Sequence, residues 1–104
     1  MEEVILVLST FPSIEKARQI GTLLVEKQLA ACVNLVPGVE SVYRWQGKIE
    51  TSAEVLAIFK TTAARQPELS EALADLHPYE VPEILALEPS AVSPAYARWV
   101  SEVV

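Results

Sequence analysis

The sequence predicts an α+β fold of order β-α-β-β-α-β-α, and three observations carry that prediction. Nearly continuous apolar runs (Val4–Leu8, Val55–Phe59 and Ile84–Leu87) read as strands of a covered sheet. They alternate with segments of helical apolar spacing, each opened by a serine or a proline. Two long extended stretches meet at Gln46-Gly47, a two-residue turn whose glycine supplies a positive φ. The first six elements make the split βαβ, ferredoxin-like plan: an antiparallel four-stranded sheet with two helices on one face, followed by an extra C-terminal helix.

The first strand is expected over Glu3–Leu8, stopping at Ser9-Thr10-Phe11-Pro12-Ser13. Ser13 is a natural N-cap and Glu15 suits the first turn of the helix that follows. That helix runs to about Gln28, with Ala17, Ile20 and Leu24 on its apolar face. Gly21 sits mid-helix at a cost of about 1 kcal/mol against alanine, which points to close packing of helix on sheet. An extended stretch, Ala31–Trp45, is interrupted at Pro37-Gly38, where a bulge or an edge is expected. The return strand is Lys48–Thr61, buried in its second half. The second helix starts near Gln66 with Pro67 in its first turn and stops before His77-Pro78. A stiff connector, His77–Pro82, leads to a fourth strand over Glu83–Glu88, expected to be apolar and inside. Ser93 and Pro94 open the last helix, whose apolar face holds Tyr96, Trp99, Val100 and Val103.

The chain has 104 residues, 51% of them hydrophobic, enough for one domain with a real core. Its 8 Lys+Arg against 14 Asp+Glu give a net charge of −6, which argues against a nucleic-acid backbone or an anionic membrane as partner. No apolar run approaches a membrane span. The acidic start, Met1-Glu2-Glu3, is unlike a secretory signal, so a cytoplasmic location is expected. One cysteine and one histidine exclude an internal disulfide, a CxxC pair and a multi-histidine site within the chain. The three glycines form no phosphate-cradling loop, and no acid–base pair is visible, so no enzyme and no organic cofactor are expected.

The central hairpin is too long for its own globule. Each arm of about 14 residues spans about 46 Å at about 3.3 Å per residue. A chain of this length makes a globule on the order of 33 Å across. The excess carries Val42, Tyr43, Trp45 and Ile49, poor residues for a free ribbon. Pairing of hairpins in a closed oligomer resolves this, with Tyr43, Trp45, Ile49, Tyr96 and Trp99 as expected interface residues; the alternative is a hairpin bent back on its own domain. His77 is a candidate metal ligand, with Glu80 or Glu83 as oxygen partners suited to Cu(II), Ni(II) or Zn(II) in a partial site that neighbouring chains would complete. The opposing reading of His77 is a structural hydrogen bond in the stiff loop. Cys32 is either a small buried hydrophobe or, as function, a thiolate ligand or a redox-sensitive thiol. Arg44, Lys48 and Lys60, placed along the hairpin, are candidate contacts for a small anion.

Leu29-Ala30-Ala31-Cys32-Val33-Asn34, Pro37-Gly38 and Tyr43-Arg44-Trp45-Gln46-Gly47-Lys48-Ile49-Glu50 resemble the signature of the CutA family of divalent-cation tolerance proteins. So do Glu54-Val55, Lys60-Thr61-Thr62, His77-Pro78-Tyr79-Glu80-Val81-Pro82-Glu83-Ile84 and the pair Tyr96 and Trp99. The resemblance spans almost the whole chain. It implies a ferredoxin-like homotrimer of high thermal stability, interlocked by the hairpins and related in architecture to PII signalling proteins. It also implies tolerance to copper and other divalent cations, with copper binding. Carried over by position, His77 is the first ligand candidate and Cys32 the second. Ser9 and Leu76 stand where some relatives carry a cysteine and a second histidine, so two good copper ligands are missing here.

Overall fold

The structure, a computed structural model, describes residues 3–104; Met1 and Glu2, part of the acidic start, lie outside the described residues. The elements are β1 (Val4–Phe11), α1 (Ile14–Glu26), β2 (Cys32–Trp45), β3 (Lys48–Thr62), α2 (Gln66–Leu76), β4 (Leu85–Leu87) and α3 (Pro94–Val103). The strands form one antiparallel sheet of order β2-β3-β1-β4, the expected ferredoxin-like arrangement. Local chemistry explains the boundaries. The Ser13 hydroxyl accepts the Lys16 N–H and opens α1. Pro67 and Pro94 sit in the first turns of α2 and α3. Gln46 and Gly47 both take positive φ in the hairpin turn. The β2–β3 register slips between Val36 and Val39, around Pro37-Gly38, as a bulge requires.

Alternation along β1 and β3 sorts side chains onto two faces. Ile5, Val7, Phe11, Val55, Ala57 and Phe59 are buried on one face beneath α1 and α2, with Ala17, Ile20, Leu24, Leu69 and Leu73. A Cβ on Gly21 would stand 3.0 Å from Val33 Cγ1, so the glycine lets α1 press on the sheet. Among the described residues the second face has no such layer. There Val36–Leu56–Thr10, Asn34–Ile58–Leu8–Leu85 and Cys32–Lys60–Leu6–Leu87 lie in register across the strands. Only its end near Val4 is covered, where Val4 and Ala31 pack with Ala97 and Val100 of α3.

Two expectations change, and one open alternative is decided. β1 continues through Ser9 and Thr10 to Phe11, because Ser9 and Phe11 extend the buried alternation of Ile5 and Val7. β4 is only three residues long, and its leucines are exposed (Leu85 50%, Leu87 45%), because it is a sheet edge whose leucines share the uncovered face. The hairpin is not bent back: the longest dimension is 45 Å, close to the length of a straight arm. β1 ends opposite Val55, so Lys48–Glu54 pair only with β2. At about 3.3 Å per residue this ribbon projects about 23 Å.

Candidate functional site

His77 follows α2 directly, with the extended backbone that precedes a proline. Its ring is buried, stacked on Phe11 at 4.5 Å between centroids and tilted against Tyr79 at 5.0 Å. The Tyr79 backbone N–H donates to Nδ1 (3.1 Å), so that nitrogen carries a lone pair. Nε2 therefore carries the hydrogen; it donates to the Thr10 carbonyl (2.9 Å) and reaches Ser9 Oγ (3.1 Å). This tautomer follows from the hydrogen-bond network. Burial holds the His77 pKa below its usual value, against smaller upward pulls from the Thr10 carbonyl and the Glu54 carboxylate. Burial thus outweighs the helix-end preference for imidazolium. Both nitrogens are engaged within the chain, as the structural reading requires. A nitrogen that already carries hydrogen cannot take the proton of Ser9, and Ser9 is fully buried, so the contact is not a nucleophile–base pair.

A pH dependence follows. The unfolded chain protonates His77 near pH 6.5, whereas the folded chain does so only at lower pH. Below pH 6.5 the unfolded state binds more protons, so this contribution to stability is complete above that pH and falls on acidification. Urea midpoints measured between pH 8 and pH 5 are expected to drop in acid, and His77→Gln is expected to flatten that limb. An identical pH profile in the variant would refute the assignment.

The His77–Pro82 connector forms one wall of a cleft whose other wall is the hairpin. The cleft has a volume of about 820 Å³ and is lined by Tyr43, Trp45, Tyr79, Glu54, Glu80 and Glu83, among others. The Tyr79 hydroxyl donates to Glu54 Oε2 at 2.6 Å, tying wall to wall. Burial, then the Glu54 carboxylate, pushes the Tyr79 phenol well above its usual range. Among the described residues no lysine or arginine lines the cleft. His77 stands behind it, fixing Thr10 and Tyr79, both of which line it.

The four predicted metal ligands are not brought together. Glu80 and Glu83 are exposed at the cleft, and His77 is buried behind it. Cys32 lies at the far end of β2, in register with Lys60 and Leu6, whereas His77 meets Ser9, Thr10 and Phe11. Among the described residues no group of three or more His, Cys, Asp or Glu is placed to hold an ion. Cys32 is a free, partly buried thiol with Sγ 3.5 Å from Tyr96 Oη. Burial and that contact push the Tyr96 phenol up to about 12. The three candidate anion contacts are also dispersed: Lys60 is about 40 Å along β3 from Lys48, and Arg44 and Lys48 lie at the hairpin tip. Tyr43, Trp45, Ile49, Tyr96 and Trp99 are all exposed in the single chain. Sequence reasoning missed Glu54 and Thr10 as cleft residues and the open-face set Leu6, Leu8, Leu56, Ile58, Leu85 and Leu87. The signal for that set was present: continuous apolar strands imply two covered faces, and two helices cover one.

An open-faced ferredoxin-like domain with an acidic, aromatic cleft is the class these features define. The family model of the CutA1 divalent ion tolerance protein matches residues 5–103, and the chain belongs to that family. It is 50% identical over 102 residues to the divalent-cation tolerance protein CutA of Thermus thermophilus, covering 98% of this chain and 97% of that one. It is 46% identical to the mouse Protein CutA over 90% of this chain, but spans about half (53%) of that longer protein. The solved structure of the divalent cation tolerance protein of Thermus thermophilus superimposes with a TM-score of 0.92 at 48% identity, covering 97% of this chain and 98% of that one. The family is thus one of cation tolerance, not one named for a reaction. Among the described residues no helix is long and apolar enough to cross a membrane.

Proposed function

We propose that this chain is the subunit of a homotrimeric, cytoplasmic divalent-cation tolerance protein that binds copper or a similar ion weakly and serves the response to heavy metals. The observation that carries the reading is the uncovered sheet face. Leu6, Leu8, Leu56, Ile58, Leu85 and Leu87 form a contiguous apolar layer with no partner layer among the described residues. The projecting hairpin next to it exposes Val42 (65%) and Ile49 (63%). Other copies of the chain supply the missing layer and the missing strand partners. High thermal stability follows from such interlocking, because unfolding one chain then requires dissociation.

The metal part of the reading rests on oxygen donors. Glu80 and Glu83 present two carboxylates at the cleft mouth, with Glu54 deeper and held by Tyr79. Two or three carboxylates without a free imidazole make a weak site for Cu(II). His77 contributes by holding the loop, and it becomes a ligand only by giving up its bonds to Thr10 or Tyr79. Calorimetric Cu(II) titration of metal-free protein, with mass measured by light scattering on the same sample, tests both parts. The expected result is a trimer mass with weak, saturable binding that falls at least several-fold in Glu80→Gln/Glu83→Gln. A single-chain mass would sink the assembly, and equal affinity in the variant would remove these carboxylates from the site.

A second reading, a PII-like small-ligand sensor, is favoured by the cleft volume, which lies in the range of small-molecule sites. The cationic residues Arg44, Lys48 and Lys60 do not line the cleft, so an anion would need them from a neighbouring chain. A scaffold role for the trimer surface has no separate observation in its favour.

A further inference from the structure

We propose that the cleft between the hairpin and the His77–Pro82 connector binds a small organic cation, of the class of linear aliphatic polyamines. This goes beyond the metal reading, because an ion held by oxygen donors has no use for the aromatic rings that line the cleft. The cleft is a cavity of about 820 Å³, within the span of small-molecule sites. The rings of Tyr43, Trp45 and Tyr79 line it together with Glu54, Glu80 and Glu83, and among the described residues no lysine, arginine or histidine does. Tyr43 and Trp45 are alternate residues of β2 and so share one face of the hairpin. Tyr79 stands on the connector that forms the other wall. Glu54 is half-buried, whereas Glu80 and Glu83 are exposed, so negative charge sits at two depths.

A polyamine matches each of these parts. Glu54 Oε2 accepts the Tyr79 hydroxyl, which fixes the carboxylate and leaves Oε1 to accept from an ammonium group. The faces of Trp and Tyr rings attract the same cation. The methylene links of the ligand gain by covering those rings. A second ammonium group then meets Glu80 and Glu83 at the mouth. A quaternary ammonium would fill the rings but bring no donor to the carboxylates, so primary and secondary amines fit better. The chain's net charge of −6 repels an anion and draws a cation inward.

The test is calorimetric titration of the full metal-free chain with spermidine, in parallel with Cu(II). Saturable binding of spermidine is expected. Glu54→Gln keeps an acceptor for the Tyr79 hydroxyl but removes the charge, and it is expected to weaken spermidine by about tenfold, the worth of a charged hydrogen bond. Trp45→Ala is expected to weaken spermidine several-fold while leaving Cu(II) affinity unchanged, since only the organic cation uses the ring. Glu71→Gln removes an equal charge from an exposed position on α2, outside the cleft, and is expected to change neither titration. Circular dichroism checks that each variant is folded. No saturable binding of spermidine would overturn the inference, whatever copper does. So would equal losses in Glu54→Gln and Glu71→Gln, which mark a general attraction to an acidic chain. Binding of spermidine that ignores Trp45→Ala would overturn it too, because the carboxylates alone would then hold the cation. None of these results touches the copper reading, which fails only on its own titration.

Discussion

In the proposed trimer, Ile58→Asp is expected to reduce the particle in solution from the mass of three chains to that of one. Ile58 lies in the middle of the open face, in register between Asn34 and Leu8, and Leu8 is in turn in register with Leu85. In the lone chain its side chain is already partly in water, so an aspartate there costs the monomer little. In an assembly that covers this face the carboxylate would be buried without a partner. Such a charge costs several kcal/mol per site after relaxation, and it enters once per chain. Sedimentation or light scattering at micromolar concentration reads the effect, and circular dichroism checks that the monomer keeps its fold. A trimer of normal mass from Ile58→Asp would show that this face is not the one covered. An aspartate at exposed Ala74 of α2, outside the open face, is expected to leave the mass unchanged.

Phe11→Ala is expected to cost about 3–5 kcal/mol, the usual range for a buried phenylalanine. Phe11 is fully buried, belongs to the core beneath α1 and α2, and carries the stacked ring of His77. Its removal leaves a cavity and frees His77 from its platform, and with it the Tyr79 N–H that His77 accepts. The loop that walls the cleft is then held at fewer points. Urea unfolding is expected to show a lower midpoint at an unchanged slope. Loss of less than about 1 kcal/mol, well below that range, would mean that the core closes around the gap and that Phe11 does not anchor the loop.

The contrast between these two residues shows what was legible in the chain. Ile58 belongs to a run whose strand character follows from its apolar continuity. Phe11 follows Ser9-Thr10 and precedes a proline, so local polarity suggests a strand end at Leu8. The strand instead continues because Ser9 and Phe11 keep the buried alternation and Ser9 finds a partner in His77. That partner is 68 residues away in sequence, and no local pattern announces it. Separation along the chain likewise hid the pairing of Tyr79 with Glu54, which ties the walls of the cleft together. His77 could be read either as a ligand or as a structural residue until its two ring nitrogens were seen to be occupied.

The sequence by itself determined the order of the elements, the bulge at Pro37-Gly38, the turn at Gln46-Gly47, the helix starts and an overlong hairpin. Each of these is set by residues within a few positions of one another: periodicity, turn chemistry, capping and chain length. It also carried the family resemblance, because whole motifs survive as contiguous strings. The tertiary structure alone decided which face of the sheet stays bare, which carboxylates line the cleft and why His77 is neutral and engaged. Those depend on where α1 and α2 land and on side chains far apart in the chain. The burial that orders such contacts belongs to the folded assembly of elements and not to any one segment.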